Sequence, residues 1–322
     1  MSLTIAPMNL GDIFDQTFRL IGKTFVRNLI VALIILTPAA LVFAWGLDRF
    51  FSTIMHLARA KEMLEPAGLE EPLRMFGAMA LFFVSLIIYG LLSLTAMLGI
   101  TIIACSEMNG QKLSWSDALG MTFGIRLWRL YGQAFLQYLA LGGLIVIPYI
   151  ALIAGAATGL KTLAWLGGIS LFAAMICAIY LWIRWAFTLP PIACEEAGVV
   201  AAFRRSFALV QDVWWRTFGI LILMSLIVQF AISIITTPLS FIMLRDFFAK
   251  YFEMLGSMGS GQPDSRALLE TFDTFGMGLG LVVGVSAILS MLISPLIRVI
   301  MYFDLRARQG EFAPAVQSGS GA

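Results

Sequence analysis

Long uninterrupted apolar runs dominate the chain, and six of them are long enough to cross a lipid bilayer as helices. The strands of a membrane β-barrel would instead alternate apolar and polar residues over about 10 positions. The predicted spans are Leu29–Leu47, Phe76–Cys105, Ala134–Ala156, Leu163–Phe187, Phe218–Leu244 and Phe275–Tyr302. We therefore predict an all-α fold, a polytopic membrane helical bundle with about six transmembrane helices.

A polar and aromatic pattern recurs three times before these runs. Each copy has apolar residues at helical spacing, then an aromatic residue close to an arginine, then a predicted span. The copies are Phe14–Ile21 with Phe25 and Arg27, Asp117–Phe123 with Trp128 and Arg129, and Phe203–Val210 with Trp215 and Arg216. Each copy predicts an amphipathic helix on the inner membrane surface, from which the chain turns into the bilayer.

The three predicted hairpins also end alike, because an acidic residue follows two positions after Cys or Tyr. These acids are Glu107, Glu196 and Asp304. The repeated unit is thus a surface helix, a span, an outer connection and a second span. We predict one membrane domain over residues 1–310, made of repeats 8–110, 111–198 and 199–310 in a quasi-threefold bundle. Outer excursions are predicted at about 48–75 and 245–274, and a flexible tail at 311–322.

The distribution of basic residues predicts the orientation of the spans. With the N-terminus inside, 13 of the 21 Lys and Arg residues fall on the inner side or at inner helix ends, and 8 fall outside. Cytoplasmic loops carry an excess of Lys and Arg. We therefore expect both termini to be cytoplasmic.

Composition excludes several classes of protein. The chain is 60% hydrophobic and 12% charged, against about 25% charged residues in a typical soluble domain. A net charge of +2 gives no basic field for nucleic acid. Cys105, Cys177 and Cys194 all fall in or at the end of apolar runs, so we expect apolar packing and no disulfide framework. No spacing of Cys and His suits a metal, and we predict no metal site and no cofactor.

The sequence contains no catalytic constellation. His56 stands alone, and we interpret it as a surface or interfacial residue. Glu195 and Glu196 point about 100° apart on a helix and make no tight acid pair. We interpret them as the amino-terminal charge of a helix that begins near Val199. We therefore assign no catalytic residue.

Three groups of residues remain as candidates for binding or assembly. Inner-face cations and tryptophans are candidates for contacts with lipid or partner proteins: Arg27, Arg129, Arg204, Arg205, Trp214, Trp215 and Arg216. Charges in or at the edge of the spans form a second group: Arg184, Arg298, Glu107, Glu196 and Asp304. Small residues four apart favour close helix packing and form the third: Gly276, Gly280 and Gly284.

Two of these charges lead to specific expectations. Arg298 lies eight residues before Arg306, so its side chain can reach the inner interface. Arg184 lies farther from the predicted interface. A charge inside the membrane costs free energy, so such a residue is by default a candidate for a functional role. Three roles therefore stay open for Arg184: a functional charge that faces the bundle interior, a structural ion pair with Glu107 or Glu196, or a side chain that reaches the interface.

Several of these runs carry a family resemblance. The segment Leu189–Val210, followed by Trp215 and Arg216, resembles the glycerophosphoryl diester phosphodiesterase membrane-domain family. The closing run Pro295–Gly310 and the opening run Phe14–Leu20 are similar to the same family. YciC-type bacterial inner-membrane proteins share the acidic, Gly, Ala and Arg-Ser run. The resemblance implies a multi-pass protein of the bacterial inner membrane.

The resemblance does not imply phosphodiesterase activity. Some relatives fuse this module to a soluble phosphodiesterase barrel, whereas only Glu311–Ala322 follow Gly310 here. A barrel needs about 250 residues. We therefore expect a membrane module without that barrel.

Three functions stay open at this stage. The first is a non-enzymatic module whose partners are membrane lipids, other membrane proteins or a second copy of the chain, with no nucleic acid. The second is a transporter or channel with a polar path between the repeats, for which Arg184, Gln137 and Gln229 in or near the spans are the motivation. The third, a lipid phosphodiester enzyme, rests on the family name alone.

Overall fold

The computed structural model describes residues 6–62, 70–258, 272 and 275–312. Within these ranges the secondary structure is entirely helical. The helices are α1 Leu10–Glu62, α2 Glu70–Met108, α3 Trp115–Thr122, α4 Ile125–Thr158, α5 Lys161–Arg184, α6 Leu189–Cys194, α7 Val199–Val210, α8 Trp214–Met243, α9 Arg245–Met258, α10 Phe275–Met291 and α11 Ser294–Arg308. A 3₁₀ turn over Gln211–Val213 joins α7 to α8. Residues 313–322 of the predicted tail, and parts of both predicted outer excursions, lie outside the described residues.

In the part of the chain that the structure describes, six helical stretches are long and apolar enough to cross a membrane, which confirms the predicted number of spans. Many of their large apolar side chains point away from the protein. Trp165, Ile147 and Phe230 are each at least 70% exposed. Water would not tolerate so much exposed apolar surface, whereas the hydrocarbon of a bilayer would.

Local sequence signals explain where two of the helices begin. Before α1, the backbone N–H of Asn9 donates to Asp12, and that of Asp12 donates to the Asn9 side chain, each at 2.9 Å. Before α3, the Ser114 hydroxyl accepts from the N–H of Asp117 at 3.1 Å. Such caps satisfy backbone donors that have no partner within the helix.

Two of the differences from the predicted boundaries concern the continuity of the helices. No turn separates the first amphipathic segment from the first span, because α1 continues through both. The sixth span is broken between Met291 and Ser294, just before Pro295. Proline lacks a backbone N–H, and its ring clashes with the carbonyl four residues earlier, which accounts for this break.

Contacts divide the chain into two compact units. The first contains the residues up to Phe25, Thr101–Ser225, and those from Pro295 onward. Its fully buried side chains include Ile13, Leu130, Phe187 and Tyr302.

The second unit contains Val26–Ile100 and Leu226–Ser294. In it, Gly276, Gly280 and Gly284 of α10 lie against Asp48, Ala44 and Ala40 of α1. A Cβ atom at any of the three would collide with α1. The absence of side chains lets the two helix backbones approach closely.

The cysteine expectation was wrong. Cys105 at the end of α2 and Cys194 at the end of α6 form a disulfide, with their Cα atoms 5.6 Å apart. Cys177 is a free, exposed thiol. The two bonded cysteines are 89 residues apart, so no local spacing could reveal the pair.

Candidate lipid-binding site

Arg184 is a buried cation at the carboxyl end of α5. Only 7% of the surface of this residue is exposed. Nε and Nη2 donate to the Tyr180 hydroxyl at 2.9 and 2.7 Å, and Nη1 donates to the carbonyl of Phe207 at 3.0 Å. The guanidinium also lies 4.1 Å from the centre of the Phe207 ring. These contacts fix the direction of the group.

Of the roles left open for Arg184, the ion pair with Glu107 or Glu196 is wrong. No carboxylate lies within ion-pair distance of Arg184 among the described residues. Glu196 instead accepts from Arg126, and Glu107 lies 3.9 Å from the amine of Lys23. Burying an ionic group costs free energy unless an opposite charge compensates. Arg184 is therefore a buried charge that hydrogen bonds satisfy but that no carboxylate among the described residues neutralises.

Arg184 lines an open cleft of about 660 Å³. The remaining lining residues form a wall that is polar at one end and apolar at the other. Its polar part comes from the 3₁₀ turn and the start of α8, and its apolar part from the preceding turns of α5. The full lining is Ile176, Ile179, Tyr180, Arg184, Gln211, Asp212, Val213, Trp214, Trp215 and Arg216. We call this the Arg184 cleft.

Two tryptophans form one side of the Arg184 cleft. The Trp214 ring stacks on Tyr180 at 5.7 Å between ring centres, and its Nε1 donates to the Tyr180 carbonyl at 3.4 Å. Trp215 packs edge-on against Trp214 at 4.7 Å and is 78% exposed. Tryptophan prefers the polar–apolar boundary of a membrane, so this pair indicates the headgroup level.

Arg204 lies beside a second, smaller cleft of about 300 Å³. Its other lining residues are Trp185, Phe203, Phe207, Ala208 and Gln211. Arg204 is exposed and makes no ion pair within the part of the chain described. Gln211 contributes to both clefts, so the two are neighbours on one surface.

Two other predicted arginines of the first unit, Arg216 and Arg205, pair with carboxylates of the same chain. Arg216 donates to the fully buried Asp304 at 2.8 Å and to the Met8 carbonyl at 2.8 Å. Asp304 also accepts from the N–H of Met8 at 2.7 Å and from Nε of Arg308 at 3.1 Å. These bonds tie the chain before α1 to α8 and α11. Arg216 therefore has a structural role.

Arg205 belongs to another internal cluster, at the end of α11. It lies 2.6 Å from Glu311 and 3.6 Å from Glu195. Arg306 bridges the same two acids at 2.7 and 3.2 Å. Tyr302 donates its hydroxyl to Glu195. Burial raises the pKa of Glu311, but hydrogen bonds from Arg205 and Arg306 outweigh it, so the pKa is lowered overall.

The acidic pair at the start of α7 has a different role from the predicted one. Gly198 precedes Val199, where α7 begins, and the first turn carries no acid. Glu196 has a φ of 52°, a backbone conformation that non-glycine residues rarely adopt. Its carboxylate accepts from Arg126 and its carbonyl from Arg129. Glu196 therefore anchors α4 to this turn.

The remaining predicted residues are dispersed. Arg27 belongs to the second unit, and Arg298 is half-buried in α11. Gln137 accepts from Gln133 on α4, and Gln229 is exposed on α8. Neither glutamine lines the Arg184 cleft. His56 is exposed near the end of α1.

Sequence reasoning missed Tyr180, Phe207, Gln211 and Asp212. One signal could have found Tyr180, because residues four apart lie on the same face of a helix and Tyr180 is four positions before Arg184. No comparable local signal links Phe207 or Gln211 to Arg184. The nearness of Phe207 and Gln211 to Arg184 depends on how α7 and the turn after it pack against α5.

The segment that holds this site is similar to a known protein family. Residues 158–258 match the family model described as the membrane domain of glycerophosphoryl diester phosphodiesterase, which confirms the resemblance over that segment. The segment contains every residue that lines the Arg184 cleft. No curated protein and no solved structure matches the chain. Six apolar helices together with a membrane-domain match identify the chain as a multi-pass integral membrane protein.

Proposed function

We propose that this chain is a non-enzymatic module of the bacterial inner membrane that binds phospholipid headgroups at the cytoplasmic face, in the Arg184 cleft. The observation that carries the proposal is a buried guanidinium at the wall of an open cleft, with no carboxylate partner among the described residues. A lipid phosphate supplies the missing negative charge. Arginine binds phosphate well because its planar group presents several donors at once.

The shape of the cleft supports a lipid over a small soluble anion. Ile176 lies eight residues before Arg184 on α5, about 12 Å deeper along the helix axis. Ile176 and Ile179 are 57% and 50% exposed. The wall thus changes from cationic to apolar over the distance at which a phospholipid changes from phosphate to acyl chain. A single molecule that presents both kinds of surface would match it.

The position of Arg184 at the end of α5 supports a cleft that lies at the depth of the lipid headgroups. α5 ends at Arg184, and Pro190 and Pro191 open the short α6 shortly afterwards. The carboxyl end of a helix carries partial negative charge, which favours a cation there. The aromatic rings of Trp214 and Trp215 lie at the same cleft. Trp and Arg together are a common arrangement at the membrane interface.

Binding of phospholipid to the detergent-solubilised protein, followed by native mass spectrometry, tests the proposal. Arg184→Gln is expected to lower the affinity for phosphatidylglycerol and phosphatidylethanolamine at least tenfold. A charge-assisted hydrogen bond contributes about 1.5–3 kcal/mol, and 1.4 kcal/mol corresponds to a factor of ten. Arg184→Lys should keep part of the affinity, since it keeps the charge and loses the planar donors.

Two further variants separate loss of binding from loss of folding. Trp215→Ala changes a largely exposed side chain of the cleft and should weaken lipid binding without lowering the melting temperature. Arg245→Gln is the matched control, because Arg245 is 82% exposed on α9 and pairs only with its neighbour Asp246. If a folded Arg184→Gln protein binds lipid with wild-type affinity, the proposal is wrong. Tyr180 and Phe207 would then be sufficient partners for Arg184 in the wild-type protein.

A further inference from the structure

We infer that the Arg184 cleft selects an aminophospholipid, one whose headgroup carries a phosphate and a primary ammonium. This inference rests on the proposed function and adds the class of lipid. It comes from a second charge in the same cleft, Asp212, which the sequence analysis did not single out.

The charges of the cleft sort into paired and unpaired groups. Arg216 is neutralised by Asp304, at 2.8 Å. Arg184 has hydrogen bonds, but no carboxylate of the described chain pairs with it. Asp212 makes no ion pair and no side-chain hydrogen bond within the described residues. The uncompensated charges on the wall are therefore one cation and one anion, which is the complement of a zwitterion.

The depths of the two charges match the order of groups in a headgroup. Arg184 is buried, whereas Asp212 is exposed on the 3₁₀ turn that leads into α8. A phosphate attached to the lipid backbone would lie deeper and meet Arg184. An ammonium at the end of the headgroup would lie nearer to water and meet Asp212. Reversing the ligand would put each charge against its like.

The side chains beside Asp212 distinguish a primary amine from a quaternary one. A primary ammonium donates three hydrogen bonds, and the Asp212 carboxylate and the Gln211 side-chain oxygen are acceptors on the same wall. A choline group has no N–H to donate. A purely anionic headgroup would be repelled by Asp212. The exposed ring of Trp215 adds a surface over which a cation is stabilised.

The test is a competition among three lipids of identical acyl chains, measured by native mass spectrometry of the full chain. Equal amounts of phosphatidylethanolamine, phosphatidylglycerol and phosphatidylcholine are offered to the wild type. Phosphatidylethanolamine should bind most tightly. Asp212→Asn should reduce its affinity about tenfold and leave that of phosphatidylglycerol equal or higher. Asp246→Asn, an exposed acid on α9, is the matched control and should change neither affinity.

The outcomes separate this inference from the proposed function. If Arg184→Gln weakens all three lipids while Asp212→Asn leaves their ratios unchanged, the amine selectivity is wrong and headgroup binding stands. If Arg184→Gln changes nothing, both are wrong. Soluble O-phosphoethanolamine forms a third arm. Binding of that compound as tightly as the lipid would assign the cleft to a soluble phosphomonoester and overturn the lipid assignment.

Discussion

At the residue scale, Asp304 is a buried carboxylate that depends on several donors from distant parts of the chain. It is fully buried and accepts from Met8, Arg216 and Arg308. A buried carboxylate is stable only when hydrogen bonds and positive charge surround it. Asp304 therefore fixes the positions of three chain segments that are far apart in sequence.

Asp304→Asn should destabilise the protein strongly. The change keeps the shape of the side chain but removes its charge, which leaves two partly buried guanidinium groups without an anion. Removing one partner of a buried ion pair costs about 3–5 kcal/mol. A clear fall in melting temperature is expected in detergent, measured by thermal denaturation followed by circular dichroism.

Asp15→Asn is the control for that experiment. Asp15 pairs with Arg19 one helical turn away at 2.7 Å, and its side chain is 61% exposed. Exposed pairs of this kind contribute about 0–1 kcal/mol. Equal effects of the two substitutions would contradict the structural role of Asp304.

The sequence identified individual charges more reliably than their partners. Asp304 and Arg184 stood out because a charge in an apolar run is costly wherever it lies. The Met8 backbone and Phe207 could not be predicted as partners, since those contacts join residues 296 and 23 positions apart. An ion pair with an acid was one role left open for Arg184, but the acids considered meet Lys23, Arg126 and Arg129 instead.

At the element scale, the spans were predictable because the bilayer imposes a simple requirement. Backbone groups in hydrocarbon must bond within the helix, so a long apolar run forms a helix with little dependence on its neighbours. Helix continuity is a finer property. α1 contains Pro38 and continues, whereas the chain breaks before Pro295. Hydropathy does not distinguish these two prolines, because the difference depends on surrounding packing.

Gly280→Ala should destabilise the second unit, since a Cβ atom there would collide with Ala44 of α1. Overpacking of this kind costs about 1–3 kcal/mol. Gly219→Ala on α8 is the matched control, because nothing lies within 4 Å of a Cβ atom at that position. Alanine favours helix more than glycine does, so the control should melt at the same temperature or higher. An unchanged melting temperature for Gly280→Ala would show that α1 and α10 can separate without cost.

At the scale of the whole molecule, one regularity supports the predicted threefold repeat, which itself remains a prediction. Each of the three closing acids lies near a basic residue from the start of its own predicted repeat. Glu107 lies near Lys23, Glu196 bonds with Arg126, and Asp304 bonds with Arg216. Duplication of one hairpin would place an acid and a base at the two inner ends of every copy.

Cysteine labelling can test the predicted orientation, with both termini cytoplasmic. In a background without native cysteines, Gln111→Cys lies between α2 and α3, and Lys161→Cys opens α5. Both positions are exposed. A maleimide that cannot cross the membrane should label Lys161→Cys in intact cells and Gln111→Cys only after the membrane is opened. The reverse pattern would invert the orientation and move the proposed lipid site to the outer leaflet.

The disulfide between Cys105 and Cys194 also bears on the orientation of the chain in the membrane. The two sulfurs belong to the side assigned to the cytoplasm, where reducing systems ordinarily keep thiols unpaired, whereas the opposite compartment favours oxidation. The bond also cannot form until the ribosome has produced residue 194, so Cys105 remains a free thiol in the nascent chain until then. The oxidation state of this pair in the finished protein thus reports which side of the membrane the ends of α2 and α6 face.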